Sequence, residues 1–179
     1  MSLVSVETPE FSSNPIDVME EIVRDHQWLC DRSSEEDLLV EISGRWCDYR
    51  MFFVWRENVK ALYYTCSLDM KVTPDKQRAI NDLLSLINER MWFGHFEMCS
   101  EASTPMFRHT MLTRGWHGAS AEQLEDLVDI AVTECERFYP AFQYVLWAGY
   151  DAKKAVDAKK KADAKKKADA KKKADAKKK

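Results

Sequence analysis

At 179 residues, 45% of them hydrophobic and 11% aromatic, the chain suits one ordinary domain whose core needs no disulfide staples. No window of about 18 residues is both apolar and uncharged, which excludes a membrane-spanning helix, and the N-terminus MSLVSVETPEF lacks a basic n-region and an apolar run, which points to a cytoplasmic protein. The net charge of −3 hides a division: residues 151–179 carry 14 Lys and 5 Asp, against 13 basic and 25 acidic residues in 1–150, so the two parts are read separately.

Residues 1–14 are rich in Ser, Thr and Pro and read as a flexible N-terminus. Asn14-Pro15 supplies an N-cap followed by a proline at the first helical position. Ile16, Met19, Ile22 and Val23 continue at helical spacing, so a helix is predicted over 15–27. A short strand follows at 28–33. Leu38, Val40 and Ile42 alternate with Leu39, Glu41 and Ser43, the pattern of a half-buried strand.

The stretch RWCDYRMFFVWRE, residues 45–57, reads as a central strand. Its odd positions Cys47, Tyr49, Met51, Phe53 and Trp55 are apolar or aromatic and face the core. Its even positions are mixed, charged at the ends with Phe52 and Val54 between, as on a second face that is partly covered. Glu57-Asn58 marks a hairpin. Leu62, Tyr64, Cys66, Leu68 and Met70 then form the inward set of an antiparallel partner strand.

Thr73-Pro74 predicts a second capped helix over 74–92, with Ile80, Leu83, Leu84, Ile87 and Met91 as its stripe and Gly94 ending it. Two strands follow at 95–100 and 105–114, then a loop at 114–118. Ser120 with Gln123 predicts a capping box, and Leu124, Leu127, Val128, Ala131, Cys135 and Phe138 form the apolar stripe of the last helix. Pro140 is expected to kink or restart it. The fold class is therefore α+β: an antiparallel sheet flanked by helices, in the order α-β-β-β-β-α-β-β-α, over residues 15–150.

From Val156 the chain repeats ADAKKK with a period of six. Six residues advance about 600° around a helix, so the lysine triplets spread around the axis. No apolar face exists to dock it, and a frayed helix or loose arm is expected. Its cations make nucleic acid a conceivable partner through this tail alone, against an acidic body with no basic recognition helix.

The residues offer little site chemistry. The five cysteines are odd in number and none is spaced C-x-x-C, so they read as buried free thiols. Cys47 and Arg50 fall on opposite faces of one strand, and no thiolate activation is expected. His95, Glu97 and Cys99 share a strand face but lack the local pairing of a zinc centre, and His109 and His117 read as structural. No glycine-rich phosphate loop or nucleophile motif is present. No catalytic residue, metal or cofactor is assigned.

Six tryptophans exceed what a core of this size absorbs centrally. Aromatic residues at element ends are candidates for a contact surface. Trp46, Phe52, Trp92, Phe93 and Trp147 are chosen as the residues of such a surface.

The segments GRWCDYRMFFVWRE, LLSLINERMWFGHFEM, PMFRHTML and AEQLEDLVDIAVTECERFYPAFQYVLW, in that order, resemble the YbjN-domain family of bacterial proteins, and closely its alphaproteobacterial branch. The likeness spans about residues 15–149 and leaves the tail outside. It implies a sensory-transduction regulator with a fold similar to type III secretion chaperones, which dimerise and bind other polypeptides. It brings no catalytic residues. The expectation is a non-enzymatic protein-interaction module, a homodimer that holds an extended polypeptide on a sheet face or in a helix groove.

Overall fold

A computed structural model describes residues 14–115 and 118–176. Expectations that fall on residues 1–13, and those on Trp116 and His117, lie outside the described residues. Helix α1 spans Pro15–Asp25 and starts as its sequence requires: the Asn14 side chain accepts the Ile16 amide at 2.9 Å, and Pro15 occupies the first turn. Ile16, Met19, Ile22 and Val23 form its buried stripe.

Six strands follow the predicted order: β1 (Leu29–Arg32), β2 (Asp37–Ser43), β3 (Asp48–Arg56), β4 (Ala61–Ser67), then β5 (His95–Cys99) and β6 (Thr104–Leu112). They form one antiparallel sheet in the order β1-β2-β3-β4-β6-β5. The α+β class and the order α-β-β-β-β-α-β-β-α both hold, with one more helix after them.

The core joins one face of the sheet to the helices. Leu38, Val40, Ile42, Met51, Phe53, Leu62, Tyr64, Cys66 and Phe107 are buried with the apolar stripes of α1, α2 (Gln77–Asn88) and α3 (Ala121–Leu146). Phe96 meets Phe107 at 5.7 Å and reaches across to Phe138 and Phe142 of α3. Arg32 ties the edge strand to α1 through Asp17 at 2.7 Å and Glu20 at 2.6 Å.

Four expectations need correction. Helix α2 begins at Gln77, not at Pro74: Lys76 and Gln77 donate to the carbonyls of Thr73 and Pro74, so TPDK closes a separate tight turn. The same helix stops at Asn88, whose side chain donates to Phe96 O at 3.0 Å and accepts from Phe96 N at 2.8 Å. That clasp pulls residues 89–94 out of helical register, and Gly94 completes the reversal at φ 62°, with the Phe107 ring standing where a Cβ would be. Helix α3 opens with the predicted capping box and runs through Pro140 as one element without restarting.

The third correction concerns the thiols. All five are free, but only Cys66 and Cys135 are buried. Cys30 lies on the short edge strand β1 and Cys99 on the opposite edge strand β5, where there is one neighbouring strand instead of two.

The fourth concerns the tail. Helix α4 spans Ala152–Ala176, and its first turns pack against α2 and α3. Ala152, Ala155 and Val156 are buried. They sit at i, i+3 and i+4, a small apolar stripe that precedes the strict repeat. The expectation of an undocked arm considered only the repeat.

Candidate interaction surface

Because side chains alternate across a strand, the residues opposite the core set share the other face of the sheet. Among the described residues, all the helices that join the core lie on one side, so this second face is bare of helices. Strand register builds its centre. Leu39, Phe52, Thr65 and Arg108 stand in one row across β2, β3, β4 and β6, and Asp37, Val54, Tyr63 and Thr110 stand in the next. Phe52 is 39% exposed at the middle of the first row. Leu39 flanks it in the open, while neighbouring side chains shield Val54 and Thr65.

Charge rims this apolar centre. Arg108 donates to both carboxylate oxygens of Glu97 at 3.0 Å and lies 4.7 Å above the Tyr63 ring. The hydrogen bonds to Glu97 raise the Arg108 pKa first and foremost. Burial pushes the Tyr63 phenol up, with Arg108 opposing it. On the other side Arg50 faces Glu41 at 3.9 Å. The arrangement offers a flat apolar strip with fixed cations and anions at its margins, suited to contact and not to bond-making.

The five residues singled out by sequence do not form one surface. Phe52 is on the bare sheet face. Trp92, 93% exposed, and Phe93 sit together in the turn between α2 and β5. They flank a groove of about 340 Å³ against Ile130, Thr133 and Arg137 of α3. Phe93 meets His109 edge-on at 6.4 Å. Trp46 is stacked on Tyr139 of α3 at 5.8 Å, with the Arg45 guanidinium 4.9 Å over its ring. The Arg45 amide donates to Glu136 at 2.7 Å, which pins the whole turn to α3. Trp147, 66% exposed, caps α3 at its C-terminal end, about 25 Å along the axis from Ile130. Sequence reasoning missed Leu39, Tyr63 and Arg108. The signal was available: hairpin register places Tyr63 and Thr65 beside Phe52 and Val54.

The core holds reactive atom types without reactive chemistry. Burial, with the neighbouring Cys66 thiol acting the same way, pushes the Cys135 thiol far up. Burial also raises the half-buried Cys47 thiol and the Tyr49 phenol beside it. Each is held in its neutral form, the opposite of an activated nucleophile. The Tyr49 hydroxyl has no hydrogen-bond partner among the described residues. His95 comes within 3.8 Å of Glu97, but that carboxylate is already taken by Arg108. Among the described residues no group of three or more His, Cys, Asp or Glu is placed to hold a metal ion, and no helix is long and apolar enough to cross a membrane.

A solved structure and a family model both resemble this chain. Among solved structures it is similar to the crystal structure of YbjN from E. coli, at 13% identity over 66% of this chain and 84% of that one, with a TM-score of 0.47. No curated protein matches the sequence. The family model YbjN, described as "Putative bacterial sensory transduction regulator", matches residues 15–144. That match covers most of the chain, the whole sheet, α1, α2 and all but the last two residues of α3, so the chain belongs to the YbjN family.

Proposed function

We propose that this protein is a non-enzymatic regulator in the cytoplasm that works by binding an extended polypeptide on the helix-free face of its sheet, in the manner of a chaperone-like module and as a homodimer. The family description supplies the regulatory frame. The observation that carries the reading is the group of Leu39 and Phe52, paired in one row, with Tyr63 diagonal to Phe52 in the next, on a sheet face that no helix covers among the described residues. A monomer that leaves large apolar side chains side by side on a rigid sheet has a contact surface in waiting. An extended chain fits such a face by placing alternate side chains on the strip, and the Glu97–Arg108 and Glu41–Arg50 pairs at its rim set orientation.

A photo-crosslinking amino acid placed singly at Phe52, Trp92 and Trp147 in living cells tests this. Adducts with a polypeptide are expected at position 52 in excess over the other two. Adducts confined to position 92 would move the surface to the α3 groove and defeat the proposal. Sedimentation of the purified protein across a concentration series tests the dimer separately.

A further inference from the structure

The helix side of the molecule carries a recess of its own. Arg90 follows the end of α2, Arg137 and Phe138 come from α3, and Lys159 and Lys160 from the first turns of α4. They surround a cavity of about 530 Å³, a size suited to one small ligand. Four cations line it against one carboxylate, Asp163, among the described residues. Residues 1–150 hold 25 acidic against 13 basic residues, so this cationic recess stands out from its surroundings.

The partners of these cations show what is left over. Lys159 pairs with Asp163 at 2.5 Å, and Arg137 donates to both oxygens of Glu134 at 3.1 Å. Lys160 comes only within 4.0 Å of Asp157. The Arg90 guanidinium has no hydrogen bond or ion pair among the described residues. Arg137 and Lys159 both lie near the Phe138 ring, 4.7 and 5.4 Å from its centroid, so their charges stand within about 10 Å of each other. An anion among these groups relieves their mutual repulsion. A phosphate suits them best, because guanidiniums grip its oxygens in pairs.

Arg90 and Arg137 also border the groove of about 340 Å³ beside Trp92 and Phe93. There the chemistry changes. Trp92, 93% exposed, presents an open ring, and the Asp129 carboxylate lines the same groove with no partner among the described residues. A planar ring that carries N–H donors satisfies both, by stacking on the indole and by hydrogen bonds to the carboxylate. Asp129, Thr133 and Arg137 fall at i, i+4 and i+8 on one face of α3, about 12 Å of rise from end to end. Ring site and anion site therefore lie along one line. A phospholipid surface brings phosphates without such a ring, and a duplex keeps its bases stacked away from Trp92.

We propose that this recess binds a single nucleotide, with its base on Trp92 and Asp129 and its phosphate on Arg90 and Arg137. The site lies on the helix side of the sheet, so its occupancy is independent of polypeptide capture around Phe52.

Titration calorimetry of the full-length protein with GMP at low salt tests this. One saturable site is expected, with guanosine and inorganic phosphate each binding at least ~10-fold more weakly, since each supplies half of the contacts. Arg90→Gln and Trp92→Ala are each expected to weaken GMP binding ~10-fold with unchanged melting, and Arg90→Lys to weaken it less than Arg90→Gln. Absence of saturable GMP binding would overturn the proposal. So would GMP affinity unchanged in the folded Arg90→Gln or Trp92→Ala protein, or inorganic phosphate binding as tightly as GMP. Tighter binding of a single-stranded oligonucleotide or of phosphatidylserine vesicles than of GMP, lost in Arg90→Gln, would assign the site to a macromolecule and defeat it equally.

Discussion

Phe52 and Phe53 are neighbours in one strand, yet they live in different molecules. Phe53 is fully buried and stacked 5.5 Å from Tyr64. Phe52 stands in the open on the other face. Backbone conformation, strand pairing and residue type are the same for both. Only what lies opposite differs. The comparison repeats on the next two strands, with Tyr63 against Tyr64 on β4 and Arg108 against His109 on β6. One face of the sheet invests its aromatic area in stability, and the other leaves much of its area exposed.

The sharpest way to break this comparison is to delete both phenylalanines in turn. Phe53→Ala should lower unfolding free energy by about 3–5 kcal/mol, since it leaves a cavity in packed core. Phe52→Ala should cost less than about 1 kcal/mol, as surface positions do. Urea denaturation with unchanged slope reads both values, and similar losses would mean that the second face is also core.

The tyrosine pair should show the same asymmetry on a smaller scale. Tyr64 donates its hydroxyl to Leu127 O at 3.1 Å, from inside the core. Tyr64→Phe is expected to cost about 0.5–1.5 kcal/mol, and Tyr63→Phe to stay within about 0.5 kcal/mol of wild type. Thermal unfolding followed by circular dichroism distinguishes them.

The smallest effect concerns the pair on β6. Burial first, and the charge of His95 second, hold the His109 pKa below its ordinary value. The folded protein therefore prefers neutral His109. Its contribution to stability is complete above the unfolded pKa of about 6.5 and declines as pH falls through that value toward the folded one. His109→Gln should flatten stability over this acidic window. Arg108→Gln should leave the pH profile alone and instead remove a salt-dependent contribution, because its pair with Glu97 is partly exposed.

Much of the fold was legible in the residues because local signals agreed with one another. Alternation in β3 separated Tyr49, Met51, Phe53 and Trp55 from the rest, and burial follows that division except at Val54, which neighbouring side chains shield. Asn14-Pro15 and Ser120 with Gln123 gave helix starts that the hydrogen bonds reproduce. The start of α2 was misread because Thr73-Pro74 also suits a tight turn, and a tertiary clasp by Asn88 decides the other end. The seating of α4 was missed because two residues, Ala155 and Val156, were averaged into a long charged repeat. The contact surface was only partly legible. Exposure of an aromatic residue depends on which elements converge on it, and that is a property of topology. Trp46 looked like a surface residue, and Tyr139 covers it. Leu39 and Tyr63 looked ordinary, and register gathers them around Phe52.

The claim that the helix-free face binds polypeptide is tested most directly by crosslinking from position 63 in two backgrounds. A photo-reactive residue there is expected to capture a polypeptide in the otherwise wild-type protein, and to lose that adduct when Leu39 and Phe52 are both changed to Ser in a protein that still melts cooperatively. Undiminished capture in the folded double-serine protein would contradict the account.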